Sequence, residues 1–333
     1  LILTASWSHK NHYIFNGNMR MDWSNKFGDR SNEKFLPIWS VSGRWNMHEN
    51  ILYGVSWVNM LALKASFGYQ GNMSNTESPK LIIKKGGTNT FFNEFESTIQ
   101  NFPNPLLKWE KTSNVNVSLD FALFNNKLIG SLGFYYRHTS DAFLSKTVSL
   151  FNGTTNYTVN AGTLTNLGTE FNFQFTPINN MINKVTSATS GGIERRGFRW
   201  RFDPQLGTVF NQLIDKVKPK DKIIQDEVRI DDYLDGSVQV AGRPVNTFYS
   251  YRFKGLNHDT GAPEFYGTEQ YYDAVDANGN IIYGGDGKPV QNSYSDLYKN
   301  MDKEKVWERV LTHSGCREPF LQGGISNTFE YNN

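Results

Sequence analysis

The sequence predicts an all-β protein whose antiparallel strands form part of a transmembrane β-barrel. Three observations support this fold class. Apolar and polar residues alternate with a period of two over long segments, aromatic residues make up 14% of a chain whose mean hydropathy is −0.53, and short links alternate with long ones. No run of 18 apolar residues occurs, so a transmembrane helix is not expected.

The alternation defines nine strands. From Tyr13 to Trp23 the odd positions are mostly large and apolar, whereas most even positions carry amides or charges. Because successive side chains of a strand point to opposite faces, each such strand has one apolar and one polar face. The predicted strands are residues 1–9, 13–23, 35–46, 60–70, 109–123, 127–138, 164–176, 198–210 and 321–331.

Strand length and aromatic spacing favour a membrane barrel over a soluble sandwich. Several strands reach the roughly 9–11 residues that a transmembrane strand needs. Tyr13 and Trp23 end one apolar face ten residues apart, as do Phe35 and Trp45. At about 3.3 Å per residue this spacing is about 33 Å, and a tilt of about 40° projects it to roughly 25 Å, the height of the apolar band between two aromatic girdles.

The links between strands agree with that topology. Residues 10–12 and 124–127 predict tight turns with Asn at positions that tolerate left-handed backbone. The long links 24–34, 71–108, 139–163 and 211–320 fall on the opposite side, as outer-membrane barrels require. The link 177–197 is longer than a periplasmic turn should be. Small strands are predicted within the last loop, at 248–253 and 280–283.

A set of collinear segments resembles the SusC/RagA family of TonB-dependent transporters, although Trp23 and Asn25 depart from its usual residues. The resemblance covers most of residues 13–331. The segments that carry it are 19–28 (MRMDWSNKFG), 61–72 (LALKASFGYQGN), 107–112 (LKWEKT), 119–128 (LDFALFNNKL), 134–141 (FYYRHTSD), 160–162 (NAG), 166–170 (NLGTE), 242–245 (GRPV), 255–257 (GLN), 261–263 (GAP) and 319 with 323–329 (P, GGISNTF).

This resemblance implies that residues 1–333 are part of one barrel domain, from the later part of a plugged barrel with about 22 strands. It implies that the plug domain and both chain ends lie outside this sequence. The implied activity is import of oligosaccharides or oligopeptides across the bacterial outer membrane, without enzymatic chemistry. The implied partners are a SusD-like surface lipoprotein, the TonB–ExbB–ExbD complex and the lipid bilayer.

Two groups of residues are candidates for function. Charged residues on the polar strand faces are expected to line the lumen, although simple solvation explains any one of them equally well: Arg20, Asp22, Arg44, Lys64, Asp120, Arg137 and Glu170. Aromatic residues beside amides in the external loops are candidates for substrate contact, with packing inside the loops or against the lipoprotein as the alternative: Phe91, Phe92, Phe95, Tyr249, Tyr251, Tyr271 and Tyr272.

Other functional classes find little support. The formal charge is +2 and no basic run occurs, so nucleic acid is not an expected partner. Of the six histidines, His9 and His12 flank a tight turn without a carboxylate or thiol companion, and Asp276, Asn278 and Asn280 start a calcium-like loop that Ile281 interrupts, so no metal or cofactor is expected. The main alternative is a soluble or surface-attached glycan-binding module whose apolar faces pack inward. A passive porin is a third possibility.

Overall fold

The fold is described by a computed structural model. It describes residues 1–24, 35–73, 78–105, 107–147, 151, 156–185, 193–216, 230–269, 271–301 and 303–332. The strands, in chain order, are β1 Ile2–His9, β2 Tyr13–Trp23, β3 Phe35–Asn46, β4 Val58–Asn72, β5 Ile82–Asn89, β6 Glu94–Asn101, β7 Glu110–Leu123, β8 Leu128–Thr147, β9 Asn156–Asn179, β10 Ile182–Val185, β11 Ile193–Arg196, β12 Phe198–Lys216, β13 Thr247–Tyr251, β14 Phe253–Leu256, β15 Pro263–Phe265, β16 Tyr271–Asp273, β17 Gln291–Ser293, β18 Leu311–Cys316 and β19 Leu321–Tyr331. The helices are α1 Ile230–Leu234, α2 Tyr294–Lys299 and α3 Lys303–Val310.

One nine-stranded antiparallel sheet contains all nine predicted strands. Its order is β1-β2-β3-β4-β7-β8-β9-β12-β19, so each strand pairs with the next main strand in the sequence. Strands β4, β8, β9 and β12 are longer than predicted. Their extensions are rich in Ser, Thr and Asn, and they pair through the backbone where apolar alternation no longer marks the strand.

The links follow the predicted division between short and long ends. Lys10 and Asn11 adopt φ of 49° and 55° in the turn between β1 and β2, and Asn125 adopts 56° between β7 and β8. The link 177–197 holds a small hairpin of β10 and β11, which explains its length. The β3–β4 link, residues 47–57, lies at the same end of the sheet. The other four links, residues 24–34, 73–109, 148–155 and 217–320, leave from the opposite end. The link 148–155 is shorter than predicted because β8 and β9 extend beyond their predicted ends.

The contact pattern divides the chain into two compact units. The first contains the nine-stranded sheet and the hairpin of β5 and β6. The second comprises residues 226–240 and 244–318, between β12 and β19. It contains the three helices, the pair β13–β18 and two further strand pairs. Of the small strands predicted there, 248–253 corresponds to β13 and the start of β14, whereas Ile281 and Tyr283 form only isolated bridges.

Buried side chains are few and occur in both units. In the first, Leu36 and Trp109 form a small cluster. In the second, Tyr233, Val238 and Leu311 form a small core, with Tyr249 and Trp307 packed against it. Within the ranges described above, no helix combines the length and apolar character that crossing a membrane demands.

Candidate functional site

The pairing register gives the sheet two chemically distinct faces. Trp7 lies opposite Phe15 and Ala65 opposite Val117 on what we call the apolar face. The side chain of Phe15 is 53% exposed and that of Val117 is 39% exposed. A soluble sandwich would bury such residues, whereas a barrel wall turns them to lipid.

Aromatic residues gather at both ends of the apolar face. At the short-link end Tyr13 stacks on Trp45 at 6.2 Å, and Trp57 stacks on Phe124 at 5.6 Å. At the long-loop end Trp23 lies opposite Phe35. Tyr13 and Trp45 at one end and Trp23 and Phe35 at the other therefore form two belts, as in the interfacial girdles of an outer-membrane barrel.

The opposite face, which we call the polar face, contains all seven predicted lumen residues. Four of them form two ion pairs. Lys64 bonds to Asp120 across neighbouring strands, and the Arg20 guanidinium lies 2.7 Å from the Asp22 carboxylate. The other cations make neutral contacts instead. Arg44 donates to the amide oxygen of Asn46 at 2.7 Å.

Arg137 and Glu170 complete this set on the strands β8 and β9. The guanidinium of Arg137 donates to the Asn114 side chain at 2.9 Å, and Glu170 lies opposite Gly133. The register therefore places the seven charged residues on a single face across six strands. Pairing of several charges with neighbours or amides leaves that face wettable but only weakly charged.

Neutral side chains form much of the rest of the polar face. Ser6 donates to Asn16 at 2.8 Å, and Asn116 donates to Ser66 at 3.2 Å. Ser42 lies between these pairs, opposite both Asn16 and Ser66. This belt can exchange hydrogen bonds with hydroxyls, amides or water.

Glycine shapes the polar face at one position within segment 166–170. A Cβ at Gly168 would lie 2.5 Å from the ring of Tyr135 on β8. The tyrosine ring therefore lies directly over the glycine backbone of the neighbouring strand. This contact gives a steric reason for glycine in the NLGTE segment.

Three of the segments singled out in the sequence meet in a polar junction at the long-loop end. The Asn160 side chain donates to the carbonyls of Lys108 and Asp141 and accepts from the Lys108 N–H at 3.1 Å. The Lys108 ammonium lies 2.5 Å from the Asp141 carboxylate. Asp141 has φ of 56° at an irregularity in the β8–β9 pairing. One amide side chain thus joins the loop before β7 to two strands.

The predicted phenylalanines lie on the hairpin of β5 and β6. Phe91 and Phe92 form an edge-to-face pair at 4.9 Å at its tip, held by an Asn89 side chain that accepts from both backbone N–H groups. The Lys85 ammonium lies 3.8 Å from the centre of the Phe95 ring. All three rings are mostly exposed, with Phe91 at 86%.

The predicted tyrosines of the second unit divide into two groups. Tyr249 and Tyr251 pack against the small core around Tyr233 and Leu311. Tyr271 is exposed, and Tyr272 lies 4.6 Å from the ring of Tyr294 on α2. The first pair therefore contributes to folding of this unit, and the second pair lies at its surface.

The sequence interpretation missed two members of the surface cluster. Tyr294 and Tyr298 follow Ser293, which caps the N-terminus of α2, and their rings lie 5.5 Å apart. A serine followed by tyrosines four residues apart is typical of a capped helix with both rings on one side, and this signal was present in the sequence. Tyr298 also donates to the carbonyl of Gly267 at 3.0 Å.

An ion pair supports the same cluster. The Lys254 ammonium lies 3.2 Å from Glu269, and hydrogen bonding to this carboxylate raises the pKa of Lys254. Burial pushes the pKa of Glu269 upward, but bonds from its own N–H, from Lys254 and from the Gly267 N–H hold that pKa below its ordinary value. Burial, followed by the nearby Glu269 charge, raises the pKa of Tyr294. The raised pKa means that the Tyr294 phenol ionises less readily than an ordinary tyrosine.

The calcium-like loop folds on itself. The Asp276 carboxylate accepts from the N–H groups of Asn278 and Asn280 and from the Asn280 side chain, and these bonds lower the pKa of Asp276. Across the portion of the chain that the structure describes, no group of three or more histidine, cysteine or acidic side chains is arranged to hold a metal ion.

Comparisons with known proteins place this geometry in a family. A family model described as "TonB dependent receptor-like, beta-barrel" matches residues 2–302. TonB-dependent receptor P3 of Formosa agariphila is 25% identical over 99% of this chain and 30% of its own length. TonB-dependent receptor SusC of Bacteroides thetaiotaomicron is 28% identical over 52% of this chain and 18% of its own.

A solved structure has the same fold. The structure titled "Structure of the RagAB peptide transporter" matches with a TM-score of 0.70 at 20% identity, over 99% of this chain and 31% of that one. The chain thus spans less than a third of the length of the relatives that it matches.

Proposed function

Because this chain belongs to the TonB dependent receptor-like β-barrel family, we propose that it forms part of the wall of an importer in the bacterial outer membrane. The observation that carries the proposal is the pair of opposed faces. Nine consecutive strands expose apolar side chains between two aromatic belts on one side and amides, hydroxyls and paired charges on the other. The polar face lines the lumen in this proposal, and its residues wet the path of the cargo.

The cargo class follows from the character of the wall and loops. An oligosaccharide or an oligopeptide presents hydroxyls or amides, which the neutral belt of Ser42, Ser66 and Asn116 is suited to bond. Names of relatives point the same way, since one solved match is titled a peptide transporter and one curated relative is SusC. Import is driven, in this proposal, by the TonB–ExbB–ExbD complex, and no bond of the cargo is broken.

The external aromatic residues are proposed to serve capture. Phe91, Phe92 and Phe95 are mostly exposed on a hairpin tip, so they are free to pack against the cargo or a SusD-like lipoprotein. In the second unit, Tyr271 and the cluster of Tyr272 and Tyr294 offer rings beside a carboxylate, a combination suited to sugar or peptide side chains. This unit belongs to the same barrel domain as an elaborated external loop.

The test is a growth experiment on the intact transporter. A strain lacking the gene is complemented with the wild type and supplied with defined oligosaccharides or oligopeptides as the limiting nutrient. Restored growth on one class assigns the cargo, and the Phe91→Ala/Phe92→Ala variant is expected to raise the concentration needed for half-maximal growth. Growth on both classes that does not depend on the transporter would contradict the proposal.

A further inference from the structure

The apolar face has a groove where four neighbouring strands carry small residues. Its floor consists of Ala5, Gly17, Gly43 and Ala65, and its volume is about 710 Å³. Ala5 lies opposite Gly17, and Gly43 lies opposite Ala65, whereas Gly17 pairs with Val41 on β3, so the two small pairs are offset diagonally. Large side chains form the walls: Trp7, Phe15, Val41, Phe67 and Val117.

The floor is open at Gly17, whereas the Phe15 ring covers Gly43, where a Cβ would lie 3.2 Å from it. A Cβ at Gly17 would have no atom within 4 Å. By contrast, a Cβ at Gly130 would lie 2.6 Å from Phe173 and 2.8 Å from Phe121, because those side chains already cover that glycine. The groove is therefore space that the chain itself leaves unfilled on a surface that faces hydrocarbon.

The groove lies towards the short-link end of the sheet. Gly17 is four residues from the start of β2, and Gly43 is three residues from the end of β3, both at that end. Short links of outer-membrane barrels are periplasmic, so this half of the band contacts the inner leaflet. Barrel strands are tilted, so a row of paired residues that crosses several strands also changes depth in the membrane. The groove therefore runs from Trp7 and Phe15 near the interface towards the middle of the bilayer.

The turn that follows β1, beyond the short-link end of the groove, carries a cation. The ring of Trp7 stacks on His9 at 5.8 Å, and the exposed Lys10 follows in the turn between β1 and β2. Lys10 is three residues from Trp7, about 10 Å along an extended chain. An anionic headgroup at the periplasmic interface would meet this ammonium while its hydrocarbon chain lies along the groove.

We propose that the groove is a binding site for one anionic phospholipid of the inner leaflet, with an acyl chain over Ala5 and Gly17 and the phosphate at Lys10. Two observations favour lipid over a protein partner. The groove is continuous with the face that contacts the bilayer, and its lining is almost wholly apolar, so polypeptide amides would find no hydrogen-bond partners there. Methylenes contact a floor of glycine and alanine closely, because no side chain holds them off.

The test counts retained lipid. The full-length transporter is incubated with vesicles of phosphatidylglycerol and phosphatidylethanolamine, extracted in mild detergent and weighed by native mass spectrometry. The wild type is expected to retain one phosphatidylglycerol. The groove-filling variants Gly17→Leu and Ala65→Leu are expected to lower its occupancy at least about tenfold, and Lys10→Gln to lower the preference for phosphatidylglycerol several-fold.

The controls separate this site from general effects. Leu132→Phe adds apolar bulk to the same face outside the groove and is expected to retain lipid like the wild type. Folding of each variant is verified by heat-modified gel mobility. Since a variant can fail to fold, wild-type protein is also irradiated with phosphatidylglycerol carrying a diazirine on its acyl chain, and labelling is expected on β1 to β4.

Three outcomes would overturn the proposal. The first is full lipid retention by folded Gly17→Leu, and the second is even labelling of all strands. The third is a loss of dimer mass in the groove-filling variants with no change in lipid, which would assign the groove to a second copy of the chain. None of these results depends on the cargo, so a failed growth experiment leaves the inference intact.

Discussion

The orientation of the sheet can be tested with two adjacent residues of β7. Val117 is on the apolar face and Asn116 is on the polar face, and the two side chains are similarly exposed. Six residues separate Val117 from the short-link end of β7, which is about 20 Å along the strand and about 15 Å along the membrane normal at a tilt of about 40°. Val117 is therefore near the middle of a hydrocarbon core of about 30 Å.

Arginine at these two positions should have very different effects. At the midplane, Val117→Arg is expected to destabilise the folded barrel by about 2–4 kcal/mol, because a charge is placed in lipid. That range corresponds to a factor of about 30 to 1,000 in the folded-to-unfolded ratio. Asn116→Arg loses only the bond to Ser66, which contributes about 0.5–1.5 kcal/mol, and its charge reaches water.

The measurement is a urea titration of the full-length protein folding into phosphatidylcholine vesicles, followed by heat-modified mobility on gels. The midpoint for Val117→Arg should fall well below that for Asn116→Arg. Equal midpoints, or a larger effect of Asn116→Arg, would show that the assigned faces are reversed or that neither contacts lipid. A Val117→Leu variant controls for side-chain size and should behave like the wild type.

Three further predictions concern packing, the polar junction and pH. Gly130→Ala should destabilise the barrel by about 1–3 kcal/mol in the same titration, because its Cβ would overlap Phe173 and Phe121, whereas Gly17→Ala should be neutral or slightly stabilising; equal effects would refute the packing argument. Asn160→Ala should lower stability by about 1–3 kcal/mol and speed proteolysis near residue 108, because backbone groups at a half-buried junction lose their partner; unchanged proteolysis would contradict this role. The pKa of Glu269 is lowered in the folded state, so its ionised carboxylate stabilises the fold. This stabilisation should be complete above the ordinary pKa of about 4.5 and be lost as the pH falls through the folded pKa. Proteolysis of residues 244–318 should therefore rise in acid for the wild type but show less pH dependence in Glu269→Gln.

The main sheet could be predicted from the sequence because its strands alternate apolar and polar residues. Tyr13, Phe15 and Met19 alternate with Asn16 and Asn18, and each strand must show that pattern when its faces meet different media. The pairing of Tyr13 with His9 then follows from the short turn between β1 and β2. The family resemblance predicted the same architecture independently, and the match over residues 2–302 confirms it.

The features that the sequence did not predict depend on contacts between residues far apart in the chain. The extension of β8 follows Thr139, Ser140 and Asp141, where a register irregularity interrupts the apolar alternation of the strand. Tyr249 and Tyr272 look alike in sequence, yet one packs on a buried core and the other lies at the surface, because their positions depend on the folding of the whole second unit. The role of Asn160 depends on Lys108, which lies 52 residues earlier.

The pairing of β12 with β19 spans residues 217–320, the longest excursion between neighbouring strands. Loop-closure entropy grows only with the logarithm of length, so doubling such an excursion costs about 0.6 kcal/mol more. The register between Trp200 and Phe329 is held by ladder bonds and ring stacking that do not involve the excursion. A unit inserted at this point is thus open to replacement over evolutionary time, because the flanking strands can stay paired while the insert is exchanged.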